Sequence, residues 1–514
     1  MKELVKNFSS QLSKNNIRGC FGIPGSGMSL SMIDELEKKG IPFYLTNFEG
    51  SASLMAAIHG KISNSIGLSI SIKGPGLTNS IPGIAASWFE SLPLIHAAES
   101  HNFGSGRHFS HKRLNQKNLS SEITKGSFYL NDNLEDVSKI IDHSKSETPG
   151  PILIQMQSKL KGNSFPKRLD KLIHKRDRIA IKLLSESRKP ILILGSLASR
   201  KLNNDYINSI KIPVFSTASS KGVFNEFKEN SAGIYTGVGL DLSPEYNIIK
   251  NSDLVIGVGL CPKEVLSVKK FPCDSINFQS VFIKGTDKFK FNSIVHIKNF
   301  EEYMDLAKHK VWAKKELKSI FSKLNDHLLR SFLPANIFEM FNNLTTNRIR
   351  AVFDTGFFCT IGEHIWKSKS DDLCLMSGNG RYMGTSIPMA IGASLAETNI
   401  PHVVFMGDGG IGMYLSEISI AVNNNLPILF ILLSDGGFAS IRKSAISNKL
   451  TQNPLLVDND WPKIFESFNI SSYKCNDLVS VENIVSQWLK NTQPLFIEIN
   501  FDSKKYLSMV DNLR

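Results

Sequence analysis

Short runs rich in Val, Ile, Leu and Phe alternate with segments of helical periodicity and with glycine-rich turns along the whole chain. This alternation is typical of parallel sheets covered by helices, because each parallel strand must be reached by a crossover connection that a helix usually supplies. The predicted fold class is therefore α/β. The runs predicted as strands are 19–23, 42–46, 67–72, 93–97, 151–156, 190–194, 212–216, 253–258, 351–353, 402–406, 428–433 and 494–499.

The chain is too long for one ordinary domain. Its 514 residues suggest about three domains, at roughly 150 residues each. We predict an N-terminal domain over 1–165, a smaller middle domain over 175–325 and a C-terminal domain over 331–514. A basic linker and a charged helical stretch separate them. The motifs that carry chemistry lie in the first and third domains.

Composition argues against several classes of protein. The longest apolar stretch, 426–433, has about eight residues, whereas a membrane helix needs about twenty, so no membrane partner is predicted. The net charge of +13 comes from 60 basic and 47 acidic residues. These are dispersed rather than collected into one stripe, so nucleic acid is not a predicted partner.

The N-terminal residues and the cysteines predict where in the cell the protein is located. Residues 1–16 place apolar side chains at helical spacing among Lys and Ser, which predicts an amphipathic surface helix rather than a signal peptide. The six cysteines form no CxxC pair and no regular spacing. This pattern favours a reducing compartment, and the predicted location is the cytoplasm.

The most informative segment is 402–442, which is predicted to form a strand, a glycine-rich turn, a helix, a strand and a second glycine-rich turn. Because the two strands would be parallel and adjacent, Asp408 and Asp435 should emerge at the same carboxyl edge of the sheet, where α/β proteins bind ligands. Mg²⁺ takes one or two carboxylates together with phosphate oxygens. Glycines around the two acids would let a large anion approach closely; they are Gly407, Gly409, Gly410, Gly436 and Gly437. The segment predicts a metal-bridged diphosphate site.

Two other interpretations of this segment stay open. Gly407, Gly409 and Gly412 also spell the GxGxxG fingerprint of dinucleotide-binding proteins. In such proteins the phosphates sit on the turn without a metal, and a carboxylate at Asp408 would repel them. The second interpretation is a buried glycine turn with two incidental aspartates. We favour the metal interpretation because it accounts for Asp408.

The same segment resembles the signature of thiamine-diphosphate-dependent enzymes of the acetolactate synthase and 2-oxo acid decarboxylase type. In that family GDG is followed, after a helix and a strand, by a second metal ligand, and Asp435 follows Asp408 here at the family's spacing of 27 residues. The resemblance implies that Asp408 and Asp435 bind Mg²⁺ through their side chains and Gly437 through its carbonyl oxygen. The implied cofactor contacts are Gly407, Asp408, Gly409, Gly410, Asp435, Gly437, Phe438 and Ala439. The family usually has Asn where this chain has Asp435, and the extra charge should couple metal affinity to cofactor affinity.

Three N-terminal motifs resemble the same family in the same order: FGIPGSG at 21–27, NFEGSA at 47–52 and KGPGLTN at 73–79. By this resemblance Glu49 is the catalytic acid that hydrogen-bonds N1′ of the cofactor's aminopyrimidine and favours the tautomer from which the reactive ylid forms. Such a carboxyl should be buried. The implied cofactor contacts of these motifs are Pro24, Gly25, Glu49, Gly76 and Asn79. Lys73 stands where the family more often has Ser, and it faces either the substrate or, as we favour, solvent.

A further motif, SGNGRYMGTSIPMAIGA at 377–393, resembles the segment that contacts the pyrimidine. The resemblance implies cofactor contacts at Gly380 and at Met383, which would support the bent cofactor from beneath. The first and third domains would then be related cofactor-binding domains. No flavin-binding motif is found in the middle unit, so FAD is not a predicted cofactor.

The resemblance implies a function. The expected cofactors are thiamine diphosphate and Mg²⁺, and the expected reaction is decarboxylation of a pyruvate-like 2-oxo acid with carboligation to a carbonyl acceptor. A simple decarboxylase that releases an aldehyde is the alternative. Pyruvate decarboxylases have two adjacent histidines in the first unit, whereas here His101, His108 and His111 are separated and are interpreted as solvated loop residues.

Two further alternatives are less favoured: a non-catalytic cofactor-binding homologue, and an NAD-type oxidoreductase. The resemblance also concerns assembly. In the family the N-terminal unit of one subunit faces the diphosphate-holding unit of another. We therefore expect a homodimer or homotetramer with active sites at the subunit interface.

Overall fold

Three parallel sheets of six strands each, flanked by helices, make up the protein. The structure is a computed structural model that describes residues 2–101, 111–130, 134–157, 163–166, 169–173, 176–344 and 349–514. Every pairing between neighbouring strands of these sheets is parallel, as the alternating pattern predicts. The predicted α/β class is confirmed.

The first sheet has the strand order β2-β1-β3-β4-β6-β5. Its central strands are buried along their length, as expected for parallel strands that helices cover on both faces. The strands are β1 (Cys20–Ile23), β2 (Phe43–Leu45), β3 (Gly67–Ser71), β4 (Leu94–Glu99), β5 (Ser127–Tyr129) and β6 (Pro151–Met156). The helices are α1 (Lys2–Lys14), α2 (Met28–Glu37), α3 (Glu49–Ile62), α4 (Pro75–Phe89), α5 (Gln116–Ser120) and α6 (Leu134–Lys145).

The middle sheet has the order β12-β11-β10-β7-β8-β9, so the strand order reverses between β7 and β10, which are parallel neighbours. The strands are β7 (Pro190–Leu194), β8 (Val214–Ser216), β9 (Ser231–Ile234), β10 (Leu254–Val258), β11 (Asp274–Gln279) and β12 (Ser293–His296). The helices are α7 (Arg178–Glu186), α8 (Ala198–Lys201), α9 (Asn204–Ser209), α10 (Pro244–Asn251), α11 (Phe300–Met304) and α12 (Lys314–Leu328).

The third sheet has the order β14-β13-β15-β16-β18-β17, which is the order of the first sheet repeated. The two outer domains therefore share one topology. The strands are β13 (Arg350–Phe353), β14 (Cys374–Met376), β15 (His402–Met406), β16 (Ile428–Ser434), β17 (Ser471–Cys475) and β18 (Leu495–Asn500). The helices are α13 (Pro334–Leu344), α14 (Phe357–Ile365), α15 (Ser386–Ala396), α16 (Ile418–Asn423), α17 (Ala439–Ser447), α18 (Trp461–Glu466), α19 (Leu478–Trp488) and α20 (Ser503–Ser508).

Every run predicted as a strand contains one, and the strands that sequence patterns missed are mostly at sheet edges. The missed strands are β5, β9, β11, β12, β14 and β17. All except β11 lie at the edge of a sheet. An edge strand is paired on one side only and tolerates polar or exposed side chains, as β17 does with Ser, Tyr and Lys. Strand β11 is internal but carries polar residues at alternate positions, which hid its apolar pattern.

Helix α3 lies between the two outer domains and packs against α4 on one side and α15 on the other. Its sequence is rich in Gly, Ala and Ser, which allows backbones to approach closely. A Cβ atom at Gly83 of α4 would collide with the carbonyl oxygen of Gly50, and one at Gly392 of α15 would lie 2.5 Å from the carbonyl oxygen of Met55. This close packing fixes the position of Glu49, the first residue of α3.

Polar contacts tie the start of α3 to the third domain. The carboxylate of Glu417 accepts hydrogen bonds from Ser51 Oγ at 2.7 Å and from the backbone N–H of Asn47 at 3.2 Å. Asn47 Nδ2 also donates to the carbonyl oxygen of Ser416 at 2.9 Å. Within the described residues, no helix is long and apolar enough to cross a membrane.

Candidate active site

Asp408 and Asp435 lie together at the carboxyl edge of the third sheet, as the strand–helix–strand pattern predicts. Asp408 follows β15, Asp435 follows β16, and these two strands are paired neighbours. The Asp408 carboxylate accepts hydrogen bonds from Ser434 Oγ at 2.8 Å and from the backbone N–H groups of Asp435 at 3.1 Å and Gly436 at 3.2 Å. The backbone N–H of Gly437 completes this set at 3.3 Å. The first acid therefore organises the turn that presents the second.

Negative charge is in excess at this edge. Burial raises the pKa of Asp408, and hydrogen bonds from Ser434 and the turn offset part of the increase. Burial and the nearby Asp408 raise the pKa of Asp435 to about 7, although Arg442 acts in the opposite direction. Arg442 donates to the Asp435 carboxylate at 2.8 Å. Two buried carboxylates with one guanidinium leave an excess of negative charge, which a divalent cation would neutralise.

The donor set suits a hard cation that also has a ligand from outside the protein. Within the described part of the chain no group of three or more His, Cys, Asp or Glu side chains is arranged to hold a metal. Two carboxylates and the carbonyl of Gly437 would leave positions for phosphate oxygens and water around Mg²⁺. The backbone of Gly437 faces Leu455, where a Cβ atom would lie 2.5 Å from the carbonyl oxygen.

Glycines let large side chains pack closely against the turn after β15. A Cβ atom at Gly409 would lie 2.8 Å from the ring of Phe438 and 2.9 Å from the methyl group of Met383. One at Gly407 would lie 2.9 Å from the ring of Phe358. Predicted contact residues Gly409, Met383 and Phe438 are thus brought together around one turn, and Phe438 leads directly into α17, which begins at Ala439.

Asp354 is a residue of this edge that sequence reasoning missed. It follows β13 and accepts hydrogen bonds from the backbone N–H of Gly384 at 2.8 Å and from Ser386 Oγ at 3.2 Å. Burial raises the pKa of Asp354 to about 7. A Cβ atom at Gly410 would collide with its carboxylate. The signal was available, because Asp354 lies within two residues of the end of a strand, as Asp408 and Asp435 do.

Glu49 is buried at the carboxyl edge of the first sheet, as expected. Its side chain accepts a hydrogen bond from Asn79 Nδ2 at 3.1 Å. Its place in the first turn of α3 favours a carboxylate electrostatically. The predicted contacts Gly25 and Gly76 both pack against Ile72. A Cβ atom at Gly25 would lie 2.6 Å from the Ile72 side chain, and one at Gly76 would lie 2.8 Å from it. Pro24 precedes Gly25 in the loop after β1.

The segment around Gly380 is held at the opposite end of α4 from Asn79, the residue that contacts Glu49. It is held by Glu90, whose carboxylate accepts from the backbone N–H of Gly380 at 2.8 Å and from Ser377 Oγ at 3.0 Å. Glu90 follows the C-terminal end of α4, whereas Asn79 lies in its first half, and 11 helical residues span about 16 Å. Among the described residues no hydrogen bond or ion pair joins Glu49 to Asp408 or Asp435.

Of the three histidines considered for proton transfer, the structure describes His101 and His111. His101 Nε2 lies 2.9 Å from the carbonyl oxygen of His111, which is a backbone contact. His108 lies outside the described residues.

The middle sheet bears on the flavin prediction. The place where its strand order reverses is filled by side chains. A Cβ atom at Gly259 would collide with Leu197, and one at Gly195 would lie 2.8 Å from the carboxylate of Glu264. The absence of FAD stays a prediction.

Comparisons with known proteins find similarity along most of the chain. Three family models match: the N-terminal TPP binding domain of thiamine pyrophosphate enzymes over 3–119, their central domain over 178–299 and their C-terminal TPP binding domain over 354–499. One match falls on each of the three sheets, in the order N-terminal, central and C-terminal. The chain belongs to the thiamine pyrophosphate enzyme family.

Curated relatives are similar over nearly their whole length. The acetolactate synthase large subunit of Porphyra purpurea is 24% identical over an alignment of 539 positions. This alignment covers 93% of this chain and 88% of the relative. That of Lactococcus lactis is 21% identical, with 95% and 90% covered. The probable acetolactate synthase large subunit of Methanocaldococcus jannaschii is 21% identical, with 97% and 92% covered. The family membership favours the diphosphate interpretation of the GDG turn over the dinucleotide one.

Proposed function

We propose that this enzyme uses thiamine diphosphate and Mg²⁺ to decarboxylate a pyruvate-like 2-oxo acid and to join the remaining fragment to a carbonyl acceptor. The observation that carries the proposal is the convergence of Asp408 and Asp435 at one sheet edge, with the carboxylate of Asp408 bonded to the turn that presents Asp435. The similarity to acetolactate synthase large subunits supports the carboligase over the simple decarboxylase.

The residues present fit the cofactor. Asp408, Asp435 and the carbonyl of Gly437 would hold Mg²⁺, and the turn 407–410 would contact the diphosphate. Met383 would support the cofactor from below, beside Gly409. When bound, the thiazolium supplies a carbon nucleophile and accepts the electron pair released as CO₂ leaves.

Glu49 would hold and return the proton at N1′ of the aminopyrimidine. Its carboxyl group is buried, so the proton it shares is not lost freely to bulk water. Asn79 donates to one carboxylate oxygen and leaves the other available. Asn79 would therefore orient the acid, and Pro24, Gly25 and Gly76 would line the same edge.

We propose further that each active site is built from two chains. In one chain Glu90 holds the Gly380 segment about 16 Å along α4 from Asn79. A second copy would bring its own metal edge to Glu49. A homodimer is then the smallest active form, and two dimers would make a homotetramer. The six unpaired cysteines support a reducing location, which we propose is the cytoplasm.

The test is to add thiamine diphosphate, Mg²⁺ and a panel of 2-oxo acids to the purified protein and to measure CO₂ and the organic product. Release of CO₂ that requires both additions, with a hydroxy-ketone product, supports the carboligase. An aldehyde as the sole product would point to the simple decarboxylase. Tight cofactor binding with no CO₂ from any acid would leave the non-catalytic homologue as the better account.

A further inference from the structure

The turn that carries Met383 is held from both sides by two consecutive residues. Asp354 and Thr355 are the first two residues after β13. The Asp354 carboxylate accepts the N–H of Gly384, the residue after Met383, at 2.8 and 2.9 Å to its two oxygens. The Thr355 hydroxyl donates to the carbonyl oxygen of Tyr382, the residue before Met383, at 2.9 Å. We call Asp354 and Thr355 the clamp.

The acid of the clamp is itself held in place. Asp354 is buried, and its carboxylate also accepts hydrogen bonds from the backbone N–H of Thr355 at 2.7 Å and from Ser386 Oγ at 3.2 Å. Because rotation of the carboxylate would leave these buried donors unsatisfied, the side chain of Asp354 has little freedom to move. The clamp is therefore a rigid frame.

The backbone of this turn needs such a frame. Gly384 has a φ of +78° and Arg381 has a φ of +49°, so both residues are in the left-handed region. A residue with a side chain adopts this region only where the surrounding structure fixes its backbone. The guanidinium of Arg381 is fixed by an ion pair with the buried Glu363 at 2.5 Å. The clamp supplies the constraint at the residues directly before and after Met383.

The clamp also contacts the turn after β15. A Cβ atom at Gly410 would collide with the Asp354 carboxylate and would lie 3.1 Å from the backbone nitrogen of Gly384. The methyl group of Met383 lies against the neighbouring Gly409, 2.9 Å from the place of a Cβ atom there. Met is an unbranched and flexible side chain, so the position of its backbone decides where it can reach. Asp354 thus sets the distance between Met383 and the turn 407–410.

We propose that Asp354 and Thr355 are positioning residues that hold Met383 where it supports the bent cofactor. The inference rests on the proposed function and adds two residues to its site. Both act through Met383 and not on the reacting atoms. Cofactor binding depends mainly on the metal edge at Asp408 and Asp435, whereas removal of the proton from C2 of the thiazolium depends on the bend. A displaced Met383 should therefore slow proton removal more than it weakens binding.

The experiment measures exchange of the C2 hydrogen of bound thiamine diphosphate for deuterium in the presence of Mg²⁺, together with the Kd for the cofactor. Neither measurement needs a 2-oxo acid. Thr355→Val keeps the shape of the side chain but removes the donor to Tyr382. It should slow exchange by about 10-fold or more while the Kd changes by less than about 3-fold. Thr355→Ser returns the donor and should restore the rate.

The acid is tested in the same way. Asp354→Ala should slow exchange more than Asp354→Asn, which keeps an acceptor for the N–H of Gly384. The matched control is Thr124→Val, because Thr124 is buried in the first domain and its hydroxyl donates to the carbonyl oxygen of Ser120 at 2.9 Å. This control should lose thermal stability as Thr355→Val does, but its exchange rate should not change.

The outcomes separate positioning from stability. A lower thermal midpoint for Thr355→Val with an unchanged exchange rate would overturn the inference and leave the proposed function intact. If Asp354→Ala does not fold, the two Thr355 variants decide. Slower exchange in Thr355→Val, in a protein that releases CO₂ from no acid, would support the inference while the proposed function fails. No cofactor binding by the unchanged protein would refute both.

Discussion

The guanidinium of Arg442 donates a hydrogen bond to the carboxylate of Asp435 at 2.8 Å, and both side chains are buried. The same guanidinium group bonds the backbone carbonyl of Asp435 at 3.2 Å and Ser503 Oγ at 3.0 Å. The charge that distinguishes this chain from family members with Asn at the same position therefore has a local partner. Arg442 lies one turn into α17, directly after the metal-site turn.

The first prediction concerns the two acids of the metal edge. Asp408→Ala should abolish Mg²⁺-dependent binding of thiamine diphosphate, because it removes a metal ligand and the acceptor that organises the turn after β16. Asp435→Asn should keep or improve cofactor binding, because it removes one carboxylate from an edge where negative charge is in excess. Cofactor titration with and without Mg²⁺ measures the effect of each substitution. Asp458→Ala, an exposed acid, is the control; loss of cofactor in Asp435→Asn would contradict this account.

The second prediction concerns the acid of the first sheet. Glu49→Gln should bind thiamine diphosphate about as well as the unchanged protein, yet lose at least about 100-fold in kcat, since an amide cannot share a proton with N1′. The comparison is between the Kd for the cofactor and the steady-state rate. Glu122→Gln, an exposed acid of the same domain, should change neither. Comparable rates for Glu49→Gln and the unchanged enzyme would remove Glu49 from its role.

The third prediction concerns assembly. Mixing and reassembling Glu49→Gln chains with Asp408→Ala chains should restore activity, because one of the two sites in a mixed dimer combines two intact halves. Random mixing makes half of the dimers mixed, so about a quarter of the normal activity is expected. The control is each variant reassembled with itself. If mixed dimers are shown by mass and activity does not return, the site belongs to a single chain.

The fourth prediction concerns pH and the middle domain. Burial raises the pKa of Glu264 to about 7, despite hydrogen bonds from Thr217 and Ser196. Between pH 4.5 and 7 the native state therefore keeps a proton that the unfolded chain has lost, and this group's contribution to stability falls as the pH rises, by on the order of 3 kcal/mol. Glu264→Gln should gain thermal stability relative to the unchanged protein from pH 5 to pH 8. Glu186→Gln, exposed on α7, should show no such trend; a parallel pH profile for Glu264→Gln would show the prediction to be wrong.

The fifth prediction tests the packing that positions Glu49. Gly83→Ala would place a methyl group into the carbonyl oxygen of Gly50, and helix backbones cannot separate without losing the α3–α4 contact. We expect Gly83→Ala to lower the free energy of unfolding by about 3 kcal/mol or more, with a parallel loss of activity. Gly412→Ala is the matched control, because its nearest neighbour would be an atom of Trp461 at 3.5 Å. A thermal midpoint for Gly83→Ala equal to that of Gly412→Ala would refute the close-packing argument.

Local sequence was sufficient where strand ends carry the chemistry. Asp408 and Asp435 each follow a buried apolar strand, and parallel neighbours must release their chains at the same edge, so their convergence followed from order along the chain alone. Asp354 obeys the same rule after β13, although it was missed because its turn is not glycine-rich on both sides.

The edge strands and the hydrogen bonds between residues distant in sequence could be seen only in the tertiary structure. Edge strands such as β17 have no need of an apolar pattern, so sequence periodicity did not reveal them. Glu90 meets Gly380 across 290 positions of the chain, and Glu417 meets Ser51 across 366. A carboxylate can accept from any donor that the fold brings within 3 Å, and no local spacing in the sequence states which donor that is.

The amino-acid sequence by itself determined the α/β class, the glycine turns and the acids that follow the strands, because these depend on interactions between residues near one another in the chain. The tertiary structure decided that Arg442 balances Asp435 and that Glu90 holds the backbone of Gly380, since both depend on how α4 and α17 pack. Burial and charge act over distances of a few ångströms in space, whatever the separation in sequence.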